Sequence, residues 1–261
     1  MKKEIIGLLI LLQALVFSTL PGQAAEVHLS VAASMSDAFK ELDAAFVADH
    51  AGVTMLPNFG SSGALAKQVA QGAAADLFVS ANAEWMSYLE KDGKIAPQTV
   101  RDLAKNTLVL VGPQKVSVNS LKDLEVMERI ALGSPKSVPA GQYAEQAMRA
   151  AGVYDKLAAD KKLVMAQDVR QALLYADRGE VDGAFVYRTD ALLAKTAVIL
   201  YEVPANLHDP ISYPVGLTIA GEKNSAAKAF YDFLASPAAA KILEKYGFGA
   251  AGAAGPAAPG R

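Results

Sequence analysis

The stretch VHLSVAASMSDAFKELDAAFVADHAGVTMLPNFGSSG, Val27–Gly63, decides the fold. Val27–Ala32 is an extended apolar run. Ser34 then opens a segment in which Phe39, Leu42 and Phe46 recur three to four residues apart, the spacing of one helical face. Val53–Phe59 is extended again, and the turn Gly60-Ser61-Ser62-Gly63 leads into a helical pattern carrying Leu65 and Val69. The alternation continues down the chain. Ala75-Asp76-Leu77-Phe78-Val79 is a short apolar run between polar flanks, as suits a buried parallel strand. Further strand-like runs fall at Thr107–Val111 (closed by Gly112-Pro113), Arg129–Leu132, Gly183–Val186, Ala197–Val203 and Val215–Ala220. Helical patterns occupy Ala140–Ala151, Val169–Arg178 and Ala226–Leu234. Strands alternating with helices predict an α/β protein with parallel-rich sheets covered by helices.

Two extended segments, Thr107–Val111 and Tyr213–Leu217, lie about a hundred residues apart. If both cross between lobes, one lobe contains residues 25–106 plus 214–248 and the other residues 107–213. A single continuous sheet is the plainer alternative. From Gly249 to Arg261 the chain is nearly all alanine, glycine and proline. With no large apolar group to bury, this tail is expected to be disordered.

Met1-Lys2-Lys3 is a short basic start, Ile5–Phe17 is almost wholly apolar, and Pro21-Gly22-Gln23-Ala24 ends in small residues. That layout predicts a secretory signal peptide over residues 1–24, cleaved after Ala24. A membrane anchor is the rival, but the apolar run falls short of the roughly 20 residues that a spanning helix needs. The sequence has no cysteine, which excludes disulfides and a lipid-modified cysteine at the cleavage site. A protein free in a Gram-negative periplasm, with no direct membrane anchor, is the expectation. Loss of residues 1–24 takes the formal charge from −2 to −3. A mildly acidic body argues against nucleic acid, whose binding needs a concentrated basic surface.

The candidate site residues sit where strand-like runs end and helical runs begin. Ser34 follows Val31-Ala32-Ala33 and has Asp37 three residues on, the spacing of a capping box with Asp in place of Glu. Capping its own helix is the ordinary reading of such a serine. Asp37 reads as a first-turn carboxylate, since an ionised acid would repel an anion. Ser61 and Ser62 lie between two glycines that permit close approach to main-chain N–H groups, although such turns also serve as connectors. In Val138-Pro139-Ala140-Gly141 the proline suits a helix entry and would present the N–H of Ala140. In Gln167-Asp168-Val169-Arg170, Asp168 is a candidate N-cap, so Val169 would matter for its backbone. Plain helix entry is the alternative for both. Tyr187 ends the run Gly183–Val186, and ligands gather at the C-terminal ends of parallel strands; a half-buried core aromatic is the other reading. Together these elements outline an anion site. Helix N-termini carry unpaired N–H groups and about half a positive charge each, so about four of them approximately balance a dianion.

These residues also carry a resemblance. Ala32-Ala33-Ser34, Phe59-Gly60-Ser61-Ser62, Ala75–Ala81 with Trp85-Met86, Val138–Tyr143, Asp168-Val169-Arg170, Val186-Tyr187, Tyr213-Pro214-Val215, Ala229–Leu234 and Lys245–Phe248, in this order, resemble the periplasmic molybdate-binding proteins of molybdate ABC transporters. The likeness runs from Val27 to about Phe248. It implies a two-lobed type II periplasmic binding protein fold with two crossover strands. Molybdate or tungstate would lie between the lobes, held by hydroxyls and backbone N–H groups without a counter-cation. Carried onto this chain, the contacts are Ser34, Ser62, Ala140, Val169 and Tyr187, with Ser61 adjacent. Position 63 is glycine here where some relatives have serine, which puts an accessory contact in doubt.

The resemblance further implies closure of the lobes on the oxyanion and delivery to a membrane permease with its ATPase, by a monomer that needs no cofactor and no metal cation. A site of donors alone suits a fully deprotonated dianion, because a protonated oxyanion brings a hydrogen that needs an acceptor. Sulfate is the nearer rival ligand, smaller but equally charged. The rival class is a hydrolase with Ser62 as nucleophile. Its turn lacks G-x-S-x-G spacing because position 64 is Ala, and His28, His50 and His208 lie outside these motifs.

Overall fold

The computed structural model describes residues 25–114 and 117–251. The predicted signal peptide, residues 1–24, and residues 252–261 of the tail lie outside them. In chain order the elements are β1 (Ala25–Ala32), α1 (Ser36–Asp49), β2 (Val53–Gly60), α2 (Ser62–Ala70), β3 (Leu77–Val79), α3 (Ala83–Lys91), β4 (Arg101–Lys105) and β5 (Leu108–Gly112). Then come β6 (Ile130–Gly133), α4 (Pro139–Ala150), α5 (Tyr154–Ala159), β7 (Leu163–Ala166), α6 (Val169–Asp177), β8 (Gly183–Tyr187) and α7 (Arg188–Ala191). The chain ends with β9 (Val198–Glu202), β10 (Ser212–Leu217), α8 (Ser225–Phe233), α9 (Pro237–Lys245) and β11 (Gly249–Ala250).

The strands form two sheets, ordered β11-β4-β10-β3-β1-β2 and β7-β6-β8-β5-β9. The continuous-sheet alternative therefore falls. Each sheet is mixed. β1 is parallel to β2 and β3, and β6 is parallel to β7 and β8. The antiparallel partners are β10, against β3 and β4, and β5, against β8 and β9. These are the strands through which the chain passes from one sheet to the other. A strand entering a sheet from its neighbour arrives at the end where parallel strands finish, so it runs against them.

Register sets the position of the site. β1 pairs with β2 along its whole length, from Ala25 opposite Val53 to Ala32 opposite Gly60. Val31 lies opposite Val79 of β3. The segments after Ala32, Gly60 and Val79 therefore emerge side by side. In the second sheet Gly133 lies opposite Ala166, and Ala131 opposite Ala184, so the segments after β6, β7 and β8 do the same.

Helices cover the sheets with their apolar faces. On α1, Phe39, Leu42 and Phe46 are buried as the periodicity predicts. Phe46 meets Phe230 of α8 edge to face at 5.1 Å, and Phe39 meets the same ring at 6.2 Å. Such pairs add about 0.5–1.5 kcal/mol beyond the area they bury. Close packing explains one glycine in particular. A Cβ at Gly141 would stand 1.7 Å from the carbonyl oxygen of Gly133, so only glycine lets α4 lie against the end of β6.

Several expectations need correction. The tail does not lose structure at Gly249, because Gly249 and Ala250 pair antiparallel with Lys105 and Ala104 at the sheet edge. Edge pairing uses backbone groups, so the poverty of side chains is no obstacle. The strand expected at Val215–Ala220 is Ser212–Leu217, with a register shift between Tyr213 and Pro214 that accommodates a proline without an N–H. The capping box at Ser34 is not formed. Ser34 lies in a 3-10 turn over Ala33–Met35, α1 starts at Ser36, and neither helix start has a side-chain cap.

Asp43 is buried on the same apolar face of α1 as its phenylalanines, and its Oδ1 has no hydrogen-bond partner. Burial pushes its pKa from 3.8 up to about 7. The folded chain holds this proton more tightly than the unfolded one, so the group's contribution to stability is full below about pH 4 and is lost as pH rises through 7. Asp43→Asn should raise the urea midpoint at pH 8 and flatten the decline in stability between pH 4 and 7, as a series of denaturation curves would show.

Candidate functional site

At the shared end of the strands the two halves of the molecule face each other across a narrow cavity of about 10 Å³. Ser34, Ser61, Ser62, Ala140, Val169 and Tyr187 all line it, and all are buried. Ser34 and the two adjacent serines come from the half built on the first sheet. Ala140, Val169 and Tyr187 come from the half built on the second.

Three α-helices direct their N-termini at this cavity. Ser62 is the first residue of α2, Ala140 the second of α4 behind Pro139, and Val169 the first of α6. Their N–H groups precede the first intrahelical acceptors, so the helices leave them free. Asp168 caps α6 as the sequence suggests, its Oδ1 accepting from the Gln171 N–H at 2.9 Å. Ser61 is the N-cap of α2, yet its hydroxyl makes no capping bond. The fourth expected helix end is instead the 3-10 turn that carries Ser34.

The hydroxyls are arranged as donors. Ser62 Oγ accepts the Ala81 N–H at 3.0 Å, which leaves its own proton unused. Tyr187 is 1% exposed, and its hydroxyl has no partner. Burial holds its phenol well above its ordinary pKa, so it keeps its proton. A buried, unpaired O–H on a cavity wall is expensive unless something else fills the cavity.

Contacts between the halves flank the cavity on two sides. On one side the Gly63 N–H donates to the Ser137 carbonyl at 2.9 Å, and Tyr143 donates to the Ala81 carbonyl at 3.3 Å. Asn82 Nδ2 donates to Gln142 Oε1 at 2.7 Å, and Gln142 Nε2 to Glu84 Oε2 at 2.9 Å. Glycine is needed at position 63. A Cβ there would lie 2.5 Å from the Trp85 ring and 2.7 Å from Ser137 O, holding the halves apart.

On the other side stands Arg170, a group whose role the sequence did not reveal. Its guanidinium pairs with Asp37 of the first half at 2.9 Å, donates to the Ser34 carbonyl at 3.0 Å, and lies 2.7 Å from Asp190 Oδ1. Asp190 is fully buried and also accepts the Tyr187 N–H at 3.2 Å. Burial raises Asp190 to about 7 even against the opposing pull of the Arg170 charge. With both carboxylates ionised this triad carries a net negative charge, and Arg170 is spent on protein partners rather than facing the cavity. Asp37 is thus a first-turn residue of α1, as expected, but also half of a bridge across the cleft.

Among known proteins, the family model described as bacterial extracellular solute-binding protein matches residues 27–249. The chain belongs to that family. This solute-binding protein is 43% identical over 222 residues to YvgL of Bacillus subtilis, named a putative ABC transporter substrate-binding lipoprotein, covering 84% of this chain and 85% of that one. It is 37% identical to the molybdate-binding protein ModA of Haemophilus influenzae, covering 87% and 91%. Its fold matches the periplasmic molybdate-binding protein of Azotobacter vinelandii with a TM-score of 0.76 at 25% identity, covering 85% of this chain and 98% of that one. The solute-binding protein thus has the two-lobed, type II binding-protein architecture. Its relatives bind solutes and are not enzymes, which removes the reading of Ser62 as a nucleophile.

Tyr187→Phe deletes the unpaired hydroxyl and keeps the ring. In the ligand-free protein it should raise stability by about 1 kcal/mol, the reverse of the usual loss when a buried tyrosine hydroxyl is removed. Denaturant titration of the two ligand-free proteins checks the sign.

Proposed function

We propose that this protein captures molybdate, and the near-identical tungstate, in the periplasm and delivers it to an ABC transporter permease driven by its ATPase. The observation that carries the reading is the convergence of buried, neutral, unpaired donors from both halves on one small cavity. The ligand contacts are Ser34, Ser62, Ala140, Val169 and Tyr187, with Ser61 accessory. The names of its molybdate-binding relatives agree with that chemistry. Lobe I comprises residues 25–106 plus 214–248 and lobe II residues 107–213, a division supported by the membership of the two sheets. The protein acts as a monomer and carries the oxyanion as cargo, with no cofactor.

The mechanism is capture by closure. Neither lobe alone offers enough donors, so the anion is fully coordinated only when the cleft is shut, and it favours the shut state by that difference. Helix N-termini supply positive potential without the desolvation cost of burying free cations. Arg170, held by Asp37 and Asp190, joins the lobes beside the anion, so the groups that touch the anion are themselves uncharged. The chain from Ala25 onward, with a cleavable signal peptide before it, fits export to the periplasm.

Calorimetric titration of the mature protein with molybdate, with sulfate as competitor, tests this reading. One-to-one binding that excess sulfate barely disturbs is expected, and silence with every oxyanion from a folded, ligand-free sample would sink it. Ser62→Ala should weaken molybdate binding about ten- to a hundredfold, the contribution of one hydrogen bond to a charged group. An unchanged affinity would remove Ser62 from the contact set.

A further inference from the structure

Behind Ser34 lies a short hydrogen-bonded chain in which every direction follows from chemistry. It begins at Asn106, in the crossing segment between β4 and β5. The Thr107 backbone N–H meets Asn106 Oδ1 at 2.9 Å. A backbone N–H only donates, so the amide oxygen is the atom turned towards it, and the orientation of the amide is settled. Asn106 Nδ2 then points the other way, 2.8 Å from Thr189 Oγ1 and 3.2 Å from the Tyr213 hydroxyl. An amide NH₂ also only donates, so the Tyr213 oxygen accepts. The single Tyr213 proton is left for its other neighbour, Ser34 Oγ, at 3.0 Å. Ser34 Oγ accepts in turn. Its own proton has no protein partner in this chain and is free for the cavity that Ser34 lines.

The surroundings keep the chain in this sense. Asn106 is 7% exposed and Tyr213 is fully buried, so water does not compete. Burial and the nearby Asp190 carboxylate hold the Tyr213 phenol well above its ordinary pKa, so its proton stays in place. The ring is wedged edge-on between Tyr187 at 5.9 Å and Phe248 at 5.4 Å, which fixes where the hydroxyl points. A lone serine hydroxyl both donates and accepts. Here one of its two lone pairs is already taken from behind, which favours turning the proton to the cavity.

We infer that Asn106 and Tyr213 are specificity-determining positioning residues: by occupying one lone pair of Ser34 from behind they bias it towards donating, and so make the site discriminate against oxyanions that themselves carry a proton. The inference rests on the reading of Ser34 as an oxyanion contact. A fully deprotonated dianion accepts the Ser34 proton, whereas the O–H of hydrogen phosphate, turned towards Ser34, must either meet that proton or make the hydroxyl rotate to its one remaining lone pair and give up its own donation. Asn106 and Tyr213 sit on the two crossing segments, joined by an Asn106 N–H to Ile211 carbonyl bond at 3.3 Å. The specificity element is thus anchored where the two halves of the molecule connect.

Two arms test this. A neutron diffraction map of the perdeuterated, ligand-free protein should show the Tyr213 deuteron directed at Ser34 Oγ. A deuteron directed at Asn106 overturns the relay, whatever the ligand. In the second arm, wild type, Tyr213→Phe and Asn106→Asp are titrated with molybdate, with hydrogen phosphate at neutral pH as competitor. Tyr213→Phe keeps the wedged ring and frees Ser34 to accept. It should weaken molybdate binding about three- to tenfold and lower the molybdate-to-hydrogen phosphate preference at least about tenfold. Asn106→Asp puts an acceptor opposite Tyr213 and reverses the chain, so Ser34 turns a lone pair to the cavity; its molybdate affinity should fall about a hundredfold. Melting curves of the ligand-free variants separate these effects from misfolding. A Tyr213→Phe protein with wild-type affinity and preference overturns the inference. Failure of wild type itself to bind molybdate sinks the assigned ligand instead, and leaves the relay to the neutron map.

Discussion

Everything in this molecule depends on the ends of two sets of parallel strands meeting across one narrow gap. β1, β2 and β3 finish level with one another, as do β6, β7 and β8, and the following segments turn into helices at that line. Each turn exposes N–H groups that its helix cannot satisfy. A sheet of this kind necessarily concentrates unpaired donors at one edge, and two such edges set face to face make a cavity lined with them. The antiparallel strands β5 and β10 are the geometric consequence, since they bring the chain across between the two edges.

The electrostatics of the gap follow the same economy. Donors without formal charge can be buried in the absence of a ligand at far lower cost than lysine or arginine side chains. Where a cation is present, as Arg170, two carboxylates hold it, and another of its N–H groups donates to the Ser34 carbonyl. The charge thereby bridges the two halves beside the cavity. On the opposite side the bridging is done by hydrogen bonds without an ion pair, Gly63 with Ser137, Asn82 with Gln142, and Gln142 with the Glu84 carboxylate. The cavity is thus flanked by two unlike seams, one ionic and one of plain hydrogen bonds. Both are made only when the halves are close.

Much of this was legible from the chain alone, for identifiable reasons. The 3.6-residue recurrence of Phe39, Leu42 and Phe46 marks a helix face because the side chains must reach the sheet beneath. Pro139 and Asp168 mark helix entries because of their own backbone and hydrogen-bonding chemistry. Other features were not legible. Arg101–Lys105 carries three charged residues in five and was not marked as a strand, since its pairing with β10 and β11 is a matter of backbone position. Ser34 with Asp37 has capping-box spacing, yet each is claimed by a partner far along the chain, Tyr213 and Arg170. Asn106 carries no local signal at all.

The sequence by itself determined the alternation of strands and longer helices and the entries marked by Pro139 and Asp168, because periodicity and terminal hydrogen bonding are local properties. Tertiary structure decided which donors are truly free and in which direction they point. Ser62 is turned towards donating because the Ala81 N–H occupies one of its lone pairs, and Ser34 because Tyr213, 179 residues away, occupies one of its own. A hydroxyl's role is settled by the partner it meets, and that partner is brought to it only by the fold.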